Sequence, residues 1–436
     1  MEIKKIPFTK EMKKDYTVLI PDMAPIHFQM LRAAMIKEGL NVVLLSDSDP
    51  NVSSHVIETG LKYVHNDTCY PALLVIGQMI AALQSGKYDL NKTALMISQT
   101  GGGCRASNYI FLLRKALVAA GFENIPVISF NVSGLEKQNT GFTFNYHFIR
   151  RLLAAVVYGD MLMLLRNQVL PYEDHKGDAN ELCQKYVDEI SQGFYDGKGH
   201  THGEIKKTLR RMCDDFGRIP MTVVPKVKVG IVGEIYVKYS ALANNGLEEF
   251  LHSQDCEVML PGLMSFCQYC IYNSIEDHKL YGGQGKSAFI YKLVLKYLCY
   301  LNNFIIKTVR AHGRFTPPEP FEELKEGGEE IISCGCKMGE GWVLTAEITE
   351  LIRNGYNNVI CTQPFGCLPN HINGKGMSRR IREKYPNANI VPIDYDPGAT
   401  RVNQENRIKL MIAVAKESLS ASADEHTSAK FSEKVK

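Results

Sequence analysis

The sequence predicts an α/β protein with two Rossmann- or flavodoxin-like lobes, each built on a parallel sheet, joined by a helical segment. Short aliphatic runs typical of fully buried strands alternate with helical stretches, and that order favours parallel sheets covered by helices on both faces. The alternation stops after about residue 172 and begins again near residue 226. A chain of 436 residues also exceeds the usual size of one domain.

The elements are predicted in order along each lobe. First-lobe strands are predicted at 16–20, 41–47, 93–98 and 126–131, with helices at 25–39, 71–86 and 108–121. Gly39, Gly86 and Gly121 are expected to end those three helices. Second-lobe strands are predicted at 226–234, 256–260, 358–362 and 389–395, with a helix across 242–252.

The predicted organisation has four parts. They are an N-terminal lobe (1–172), a helical connector (173–225), a C-terminal lobe with a helical insertion (226–416) and a polar tail (417–436) expected to fray. The apolar stretch 287–306 contains Lys292 and Lys296, which favours a packed amphipathic helix over a membrane span.

Composition narrows the classes of partner and the compartment. With 45% hydrophobic residues, 22% charged residues and a net charge of +3, the chain has no general attraction to nucleic acid or an anionic membrane. The N-terminus lacks the apolar region of a signal peptide. We expect a cytoplasmic protein.

Twelve cysteines in such a chain indicate metal binding or catalysis, because thiols are kept reduced in the cytoplasm. Four of them are expected to pack as small apolar side chains: Cys183, Cys213, Cys256 and Cys299. Four others lie where strands cross to helices and are expected to converge on one site: Cys69, Cys104, Cys361 and Cys367. Helix N-termini at such positions favour anions and are expected to depress thiol pKa values.

The segment QTGGGCRASNY (99–109) indicates what binds there. Gly101, Gly102 and Gly103 let the backbone turn sharply and approach a bulky anionic group. Cys104 supplies a thiolate and Arg105 offsets part of its charge. An iron–sulfur cluster requires all three features, whereas a nucleotide phosphate requires no thiol. A second glycine-rich segment, GGQGKS (282–287), is not a P-loop, because Leu280 occupies the position of the first glycine.

Two further cysteine pairs are weaker signals. Cys267 and Cys270 have C-x-x-C spacing, and Cys334 and Cys336 are separated by one residue. Dispersed thiols of this kind suit iron–sulfur chemistry better than a structural zinc site, which needs two such pairs at regular spacing.

Several long motifs resemble the 2-hydroxyacyl-CoA dehydratase component family, from about residue 14 to about residue 415. They include NDTCYPALLVIGQ, QTGGGCRASNYIFLLRKAL, VISFNVSGLE, GEGWVLTAEI and the segment that begins QPFGCLPNHINGKG. The likeness is greatest to the dehydratase-like half of the large CoA-substrate-specific enzyme activases, which are related to double-cubane cluster proteins. Those fused proteins carry an ATPase module first, and we expect none in this chain.

The resemblance implies a cofactor and its ligands. Family members hold a [4Fe-4S] cluster by three cysteines with one iron open to substrate, and a related branch holds an [8Fe-9S] double cubane. Cysteines at family positions are Cys69, Cys104, Cys270, Cys361 and Cys367, with Cys336 as a further candidate ligand and Cys267 expected not to bind. Whether Cys334 or Cys336 binds is left open. Candidate catalytic groups beside these cysteines are Arg105, Asn66 and Gln363.

The resemblance also implies a function and its partners. A separate dimeric ATPase, the activase, carries its own [4Fe-4S] cluster and delivers a low-potential electron at the cost of ATP. The electron serves radical dehydration of a 2-hydroxyacyl-CoA, or reduction of a small molecule by a double-cubane cluster. Two other hypotheses are a non-catalytic electron-transfer or activase-docking protein and a cluster-free protein whose cysteines only pack. A homo- or heterodimer is expected.

Overall fold

The computed structural model describes the backbone of residues 3, 5–46, 55–65, 67–99, 103–130, 141–282 and 285–434. Side chains are described for the same residues apart from 285–286 and 421–434.

The N-terminal lobe is built on a four-stranded parallel sheet. Its strands are β1 (Thr17–Pro21), β2 (Asn41–Leu45), β3 (Thr93–Ser98) and β4 (Val127–Phe130), in the spatial order β2–β1–β3–β4. All four strands were predicted from the sequence, to within two residues at each end. Their side chains are mostly buried, as expected for a parallel sheet covered on both faces.

The helices of this lobe are α1 (Met12–Asp15), α2 (Pro25–Lys37), α3 (Val56–Tyr63), α4 (Tyr70–Gln84) and α5 (Tyr109–Ala119). Gly39, Gly86 and Gly121 follow α2, α4 and α5 with φ angles of 87°, 71° and 80°, so the predicted helix ends are confirmed. Helix α4 is buried along almost its whole length, which fits its nearly uninterrupted apolar sequence.

Three long helices follow the first sheet. They are α6 (Tyr146–Val169), α7 (Asp178–Tyr195) and α8 (His202–Arg218). Helix α8 begins with a capping box, in which the Thr201 hydroxyl accepts from the Glu204 backbone N–H and the Glu204 carboxylate accepts from the Thr201 N–H. The apolar faces of these helices belong to a hydrophobic core that also contains Val18 of β1 and Val359 of the second sheet. The two lobes are therefore packed together through these three helices.

The second sheet repeats the winding of the first. Its strands are β5 (Val227–Gly233), β6 (Cys256–Met259), β7 (Asn358–Pro364) and β8 (Asn389–Tyr395), in the parallel order β6–β5–β7–β8. This confirms the prediction of two parallel-sheet lobes of similar design. The order corresponds to the first four strands of a flavodoxin-like sheet.

The second lobe carries more helix than the first. Its helices are α9 (Ile235–Tyr239), α10 (Ala241–Asn244), α11 (Leu247–Ser253), α12 (Leu263–Tyr281), α13 (Gly285–His312), α14 (Phe321–Glu329), α15 (Val343–Arg353), α16 (Ser378–Lys384) and α17 (Arg401–Lys434), with a π-helical turn at Asn370–Lys375. The single helix predicted at 242–252 is instead two, because Asn245 and Gly246 have left-handed φ angles of 58° and 71°. The backbone of α17 is helical through Lys434, where the sequence predicted fraying.

Helix α13 contains a stretch, Ser287–His312, that is long and apolar enough to cross a membrane by length and composition alone. In the structure it packs in the fold, as the two lysines within it predicted. Leu298, Leu301, Ile305 and Val309 are buried in the core, whereas the side chains near its beginning are largely exposed.

Candidate functional site

The carboxyl ends of the two sheets lie close together, and the candidate site is between them. In each sheet the strand order runs outward in opposite directions from the first strand, so the connections on its two sides wind in opposite senses. Ligands bind at such switch points in open α/β sheets. Cys104 follows β3 at this place in the first lobe. Glu234 follows β5 and Cys367 follows β7 at the same place in the second lobe. A Cβ atom on Gly103 would lie only 2.1 Å from the Met338 Sδ, so the two lobes are in contact here.

The groups at this site stand where helices or helical turns begin. Cys69 is the N-cap of α4, Cys104 is the N-cap of a 3-10 turn (Arg105–Asn108), and Glu234 is the N-cap of α9. Cys367 precedes the helical segment after β7, and its carbonyl accepts from the His371 N–H at 2.9 Å. Backbone N–H groups in first turns carry partial positive charge, so this arrangement favours the anionic forms of the thiols and carboxyl groups placed there.

The thiols are close enough to share an electrostatic environment. Burial raises the pKa of Cys69 to about 12, with further contributions from Glu234 and from Cys104. Burial also raises the pKa of Cys104, and it raises the pKa of Cys367 to about 12. The carboxyl groups of Glu234 and Glu340 contribute to both increases. The expectation of depressed thiol pKa values is therefore wrong, because burial and nearby carboxylates outweigh the helix N-termini. A bound cation must displace protons from these thiols.

Two carboxyl groups, the partly buried Glu234 and the buried Glu340, belong to the site and were missed in the sequence. Burial, and next the neighbouring Glu340, raise the pKa of Glu234 to about 8. Glu340 accepts from the Ile235 N–H at 3.1 Å and from the Asn370 Nδ2 at 3.2 Å. The same amide nitrogen lies 3.3 Å from the Cys367 Sγ. The available signal was a Glu directly after the buried run of β5.

Arg105 lies on the exposed side of the site and holds two of its loops together. Its guanidinium donates to the Asp67 carbonyl at 2.7 Å and to the Thr68 carbonyl. The loop that carries Cys104 is thereby attached to the loop that carries Cys69. The Cys69 Sγ is also 3.1 Å from the Tyr109 hydroxyl. Arg105 thus positions the two thiols.

The remaining predicted polar groups fall in different places. Gln363 is buried in β7, and its Nε2 donates to the Asp394 Oδ1 at 2.7 Å. Its Oε1 has no hydrogen-bond partner within the part of the chain that the structure describes. Gly103 is exposed at the lobe contact, whereas Asn66, Gly101 and Gly102 lie outside the described residues.

The sequence predicted that Cys361 ends its strand, but the structure shows that it does not. Strand β7 continues three residues further, to Pro364, so Cys361 is near the middle of the strand and fully buried. A Cβ atom on Gly374 would lie 2.7 Å from the Cys361 Sγ. The thiol is packed beneath the π-helical turn and, unlike Cys69, Cys104 and Cys367, it does not stand where a helical segment begins.

The two close cysteine pairs each contain one accessible thiol. On α12, Cys270 is accessible to solvent while Cys267 packs against the main core. Protein atoms still surround the Cys270 thiol on most sides, and this desolvation raises its pKa to about 12, with Cys267 and Glu340 also contributing. Cys334 is buried in a cluster with Tyr269 and Trp342, whereas Cys336 is exposed.

The cysteines expected to pack do so. Cys183 on α7, Cys213 on α8 and Cys256 in β6 are buried among apolar side chains. Cys299 on α13 is half-buried against the smaller cluster, and the Gln268 Nε2 lies 3.5 Å from its Sγ. These predictions are confirmed.

The donor set at the site has a definite chemical preference. Thiols are ligands for soft metals and for iron–sulfur clusters. Within the described ranges, no three His, Cys, Asp or Glu side chains lie together closely enough to hold one metal ion.

The chain matches no protein-family model and no curated protein.

Proposed function

We propose that the chain is an iron–sulfur protein of the 2-hydroxyacyl-CoA dehydratase type, with its cluster between the two lobes. The observation that carries the proposal is the meeting of Cys69, Cys104 and Cys367 at the facing ends of two parallel sheets. All three occupy positions where helical segments begin, and their motifs resemble those of the family.

The residues present fit such a group. Cys69, Cys104 and Cys367 would hold it, and first-turn N–H groups would balance part of its negative charge. When bound, the cluster supplies one-electron transfer to a small substrate and an open iron for a substrate oxygen. A separate ATP-hydrolysing activase is the proposed electron source.

The protein's own groups hold protons and exclude water. Glu234 is more protonated near neutral pH than an ordinary glutamate, because burial raises its pKa to about 8. Its Oε2 accepts from the Val237 N–H at 2.8 Å, which fixes the carboxyl group at the start of α9. Glu234 is therefore able to donate a proton to an oxygen bound beside the thiols.

A double-cubane reductase is the second candidate function. The observation in its favour is that Cys270 and Cys336 remain accessible, in addition to the three thiols at the first turns. A larger cluster would use these additional ligands. Cys361 stays a predicted ligand in either case, although its burial in β7 makes it the weakest of the set.

The test is to purify the protein without oxygen and to count iron and sulfide per chain. About four irons support the open cubane and about eight support the double cubane. A preparation that reconstitutes with a cluster but acts on no substrate with activase and ATP would support the electron-transfer role. A colourless protein without iron, after anaerobic reconstitution, contradicts the proposal.

Single substitutions then locate the ligands. Cys69→Ser, Cys104→Ser and Cys367→Ser are each expected to lower iron content by at least half. Cys183→Ser and Cys213→Ser remove thiols that pack in the connector, and both are expected to keep full iron content. Equal iron content in both groups of variants would show that the three thiols are not ligands.

A further inference from the structure

Exposed apolar side chains surround the thiol site on the solvent side. We call the following set the apolar rim: Leu280, Tyr281, Met338, Phe365, Leu368 and Ile372. Tyr281 is 75% exposed, Phe365 69% and Leu368 67%. Phe365 and Leu368 flank Cys367 in the sequence, so the rim borders the site itself.

Backbone contacts make the rim continuous between elements. A Cβ atom on Gly335 would lie 3.4 Å from Leu280, and one on Gly339 would lie 2.9 Å from Pro369. Met338, between these two glycines, touches Gly103 of the first lobe. The end of α12, the loop of Cys336 and the segment of Cys367 therefore form one surface.

The beginning of α13 lies a few residues along the chain from Tyr281, at the end of α12. Four large apolar side chains are exposed there: Phe289, Ile290, Leu293 and Val294. With the rim they make ten side chains that each expose roughly 100 Å², or about 1,000 Å² together. That is comparable to the roughly 800 Å² that each partner contributes to a standard protein interface.

The charge of α13 identifies the kind of partner. The helix contains several Lys and Arg residues and no Asp or Glu. Among the described residues, no carboxylate forms an ion pair with Lys292, Lys296 or, beside the rim, Lys375. A second copy of the chain packed about a twofold axis near α13 would place these lysines against each other, which is unfavourable. An acidic protein surface complements them.

We infer that the apolar rim and the exposed face of α13 are the docking surface for an electron-donating protein with an apolar, acidic face. The inference rests on the proposed function, because it requires a redox group at the thiols. It adds the place of docking: a protein bound here lies directly over Cys104, Cys336 and Cys367. Electron transfer falls steeply with distance, so this placement is the productive one.

The test compares a protein donor with a small one. Cluster-loaded protein is reduced either by a dehydratase-type activase with ATP or by titanium(III) citrate, and the visible absorbance is followed in single turnover. The docking variant is Tyr281→Asp/Phe289→Asp. The matched control is Val223→Asp/Leu410→Asp, which changes two equally exposed apolar side chains outside the rim.

The docking variant is expected to slow activase-driven reduction at least tenfold and to leave reduction by titanium(III) citrate unchanged. The control variant should match the parent protein with both reductants. In a second variant, Lys292→Glu/Lys296→Glu, the activase-driven rate should fall and should lose most of its dependence on salt concentration.

Other results overturn the inference. An activase-driven rate in the docking variant within twofold of the control would show that the donor does not use this surface. Equal slowing with both reductants would show damage to the thiol site. If the parent protein is a dimer, and the docking variant is a monomer with an unchanged activase-driven rate, the surface belongs to an interface with a second copy. If the parent protein binds phosphatidylserine vesicles, and the docking variant does not while its activase-driven rate is unchanged, the surface binds a membrane. Iron is counted first, because a protein without a cluster refutes the proposed function and the donor together.

Discussion

Asp160 joins three parts of the fold through one buried carboxylate, and its replacement by Asn is a severe test of the architecture. Its Oδ1 accepts from the Leu263 N–H at 2.7 Å and lies 2.9 Å from the His27 Nε2. Its Oδ2 accepts from the Met264 N–H at 2.9 Å. A side chain of α6 thus caps α12, which carries Cys270, and also contacts α2 of the first lobe.

The magnitude follows from these contacts. Asn keeps one acceptor oxygen and presents an NH₂ group where the second oxygen was. One charge-assisted hydrogen bond, worth about 1.5–3 kcal/mol, is lost, and a buried backbone N–H without a partner costs about 1–3 kcal/mol more. Asp160→Asn is therefore expected to lower the free energy of unfolding by about 3–5 kcal/mol. That is a large part of the total stability of an ordinary protein.

Urea unfolding followed by circular dichroism measures the loss, and hydrogen exchange locates it. Backbone amides of α12 should exchange faster in the variant than those of α4, which the substitution does not touch. Asp188→Asn, an exposed change on α7, is the matched control and should leave both measurements unchanged. A loss below about 1 kcal/mol in Asp160→Asn, or uniform exchange along the chain, would refute the reasoning.

Three further predictions concern the second lobe. Because the pKa of Glu234 is raised to about 8, the stability that its proton contributes is lost as pH rises from 4.5 to about 8, and Glu234→Gln should flatten the fall in unfolding free energy over that range. An unchanged pH slope would contradict this. Gly233→Ala should destabilise by about 2 kcal/mol or more in urea, since φ is 142° and a Cβ atom would lie 1.9 Å from the Thr362 carbonyl oxygen. Lys238→Met leaves the buried Glu347 unpaired and should lower the free energy of unfolding by about 3–5 kcal/mol. The double variant Lys238→Met/Glu347→Leu should recover most of this loss, and equal losses in both variants would exclude a charge effect.

The strands could be predicted because their signal is local. A strand of a parallel sheet with helices on both faces is buried on both sides, so its sequence is a short aliphatic run with turn residues at its ends. All eight strands of the described residues were found in this way. The prediction at 242–252 failed because helix periodicity continues across Asn245 and Gly246, whereas their positive φ angles interrupt the helix. Helical periodicity in a sequence does not show that a single residue has a positive φ angle.

The thiol site could be predicted only in part. Cys69, Cys104 and Cys367 were recognised by their place between strand and helix, which sequence spacing shows. Cys361 was misplaced because Gln363 and Pro364 look like the start of a loop, although β7 continues through them beside β8. Thiol pKa values depend on burial and on carboxylates from distant segments. Local sequence carries no information on either.

The two carboxyl groups that the sequence did not reveal add negative charge to the thiol site, and this charge favours the binding of iron cations. Glu234 and Glu340 lie among three thiols, so full deprotonation would leave a large excess of negative charge in a poorly hydrated place. The nearby lysine, Lys238, lowers the pKa of both carboxyl groups, but it is already paired with Glu347 and offsets only part of this charge. Such a site either keeps its protons or exchanges them for bound iron. Loading at constant pH should accordingly release protons in proportion to the iron bound, which a pH-stat measures directly.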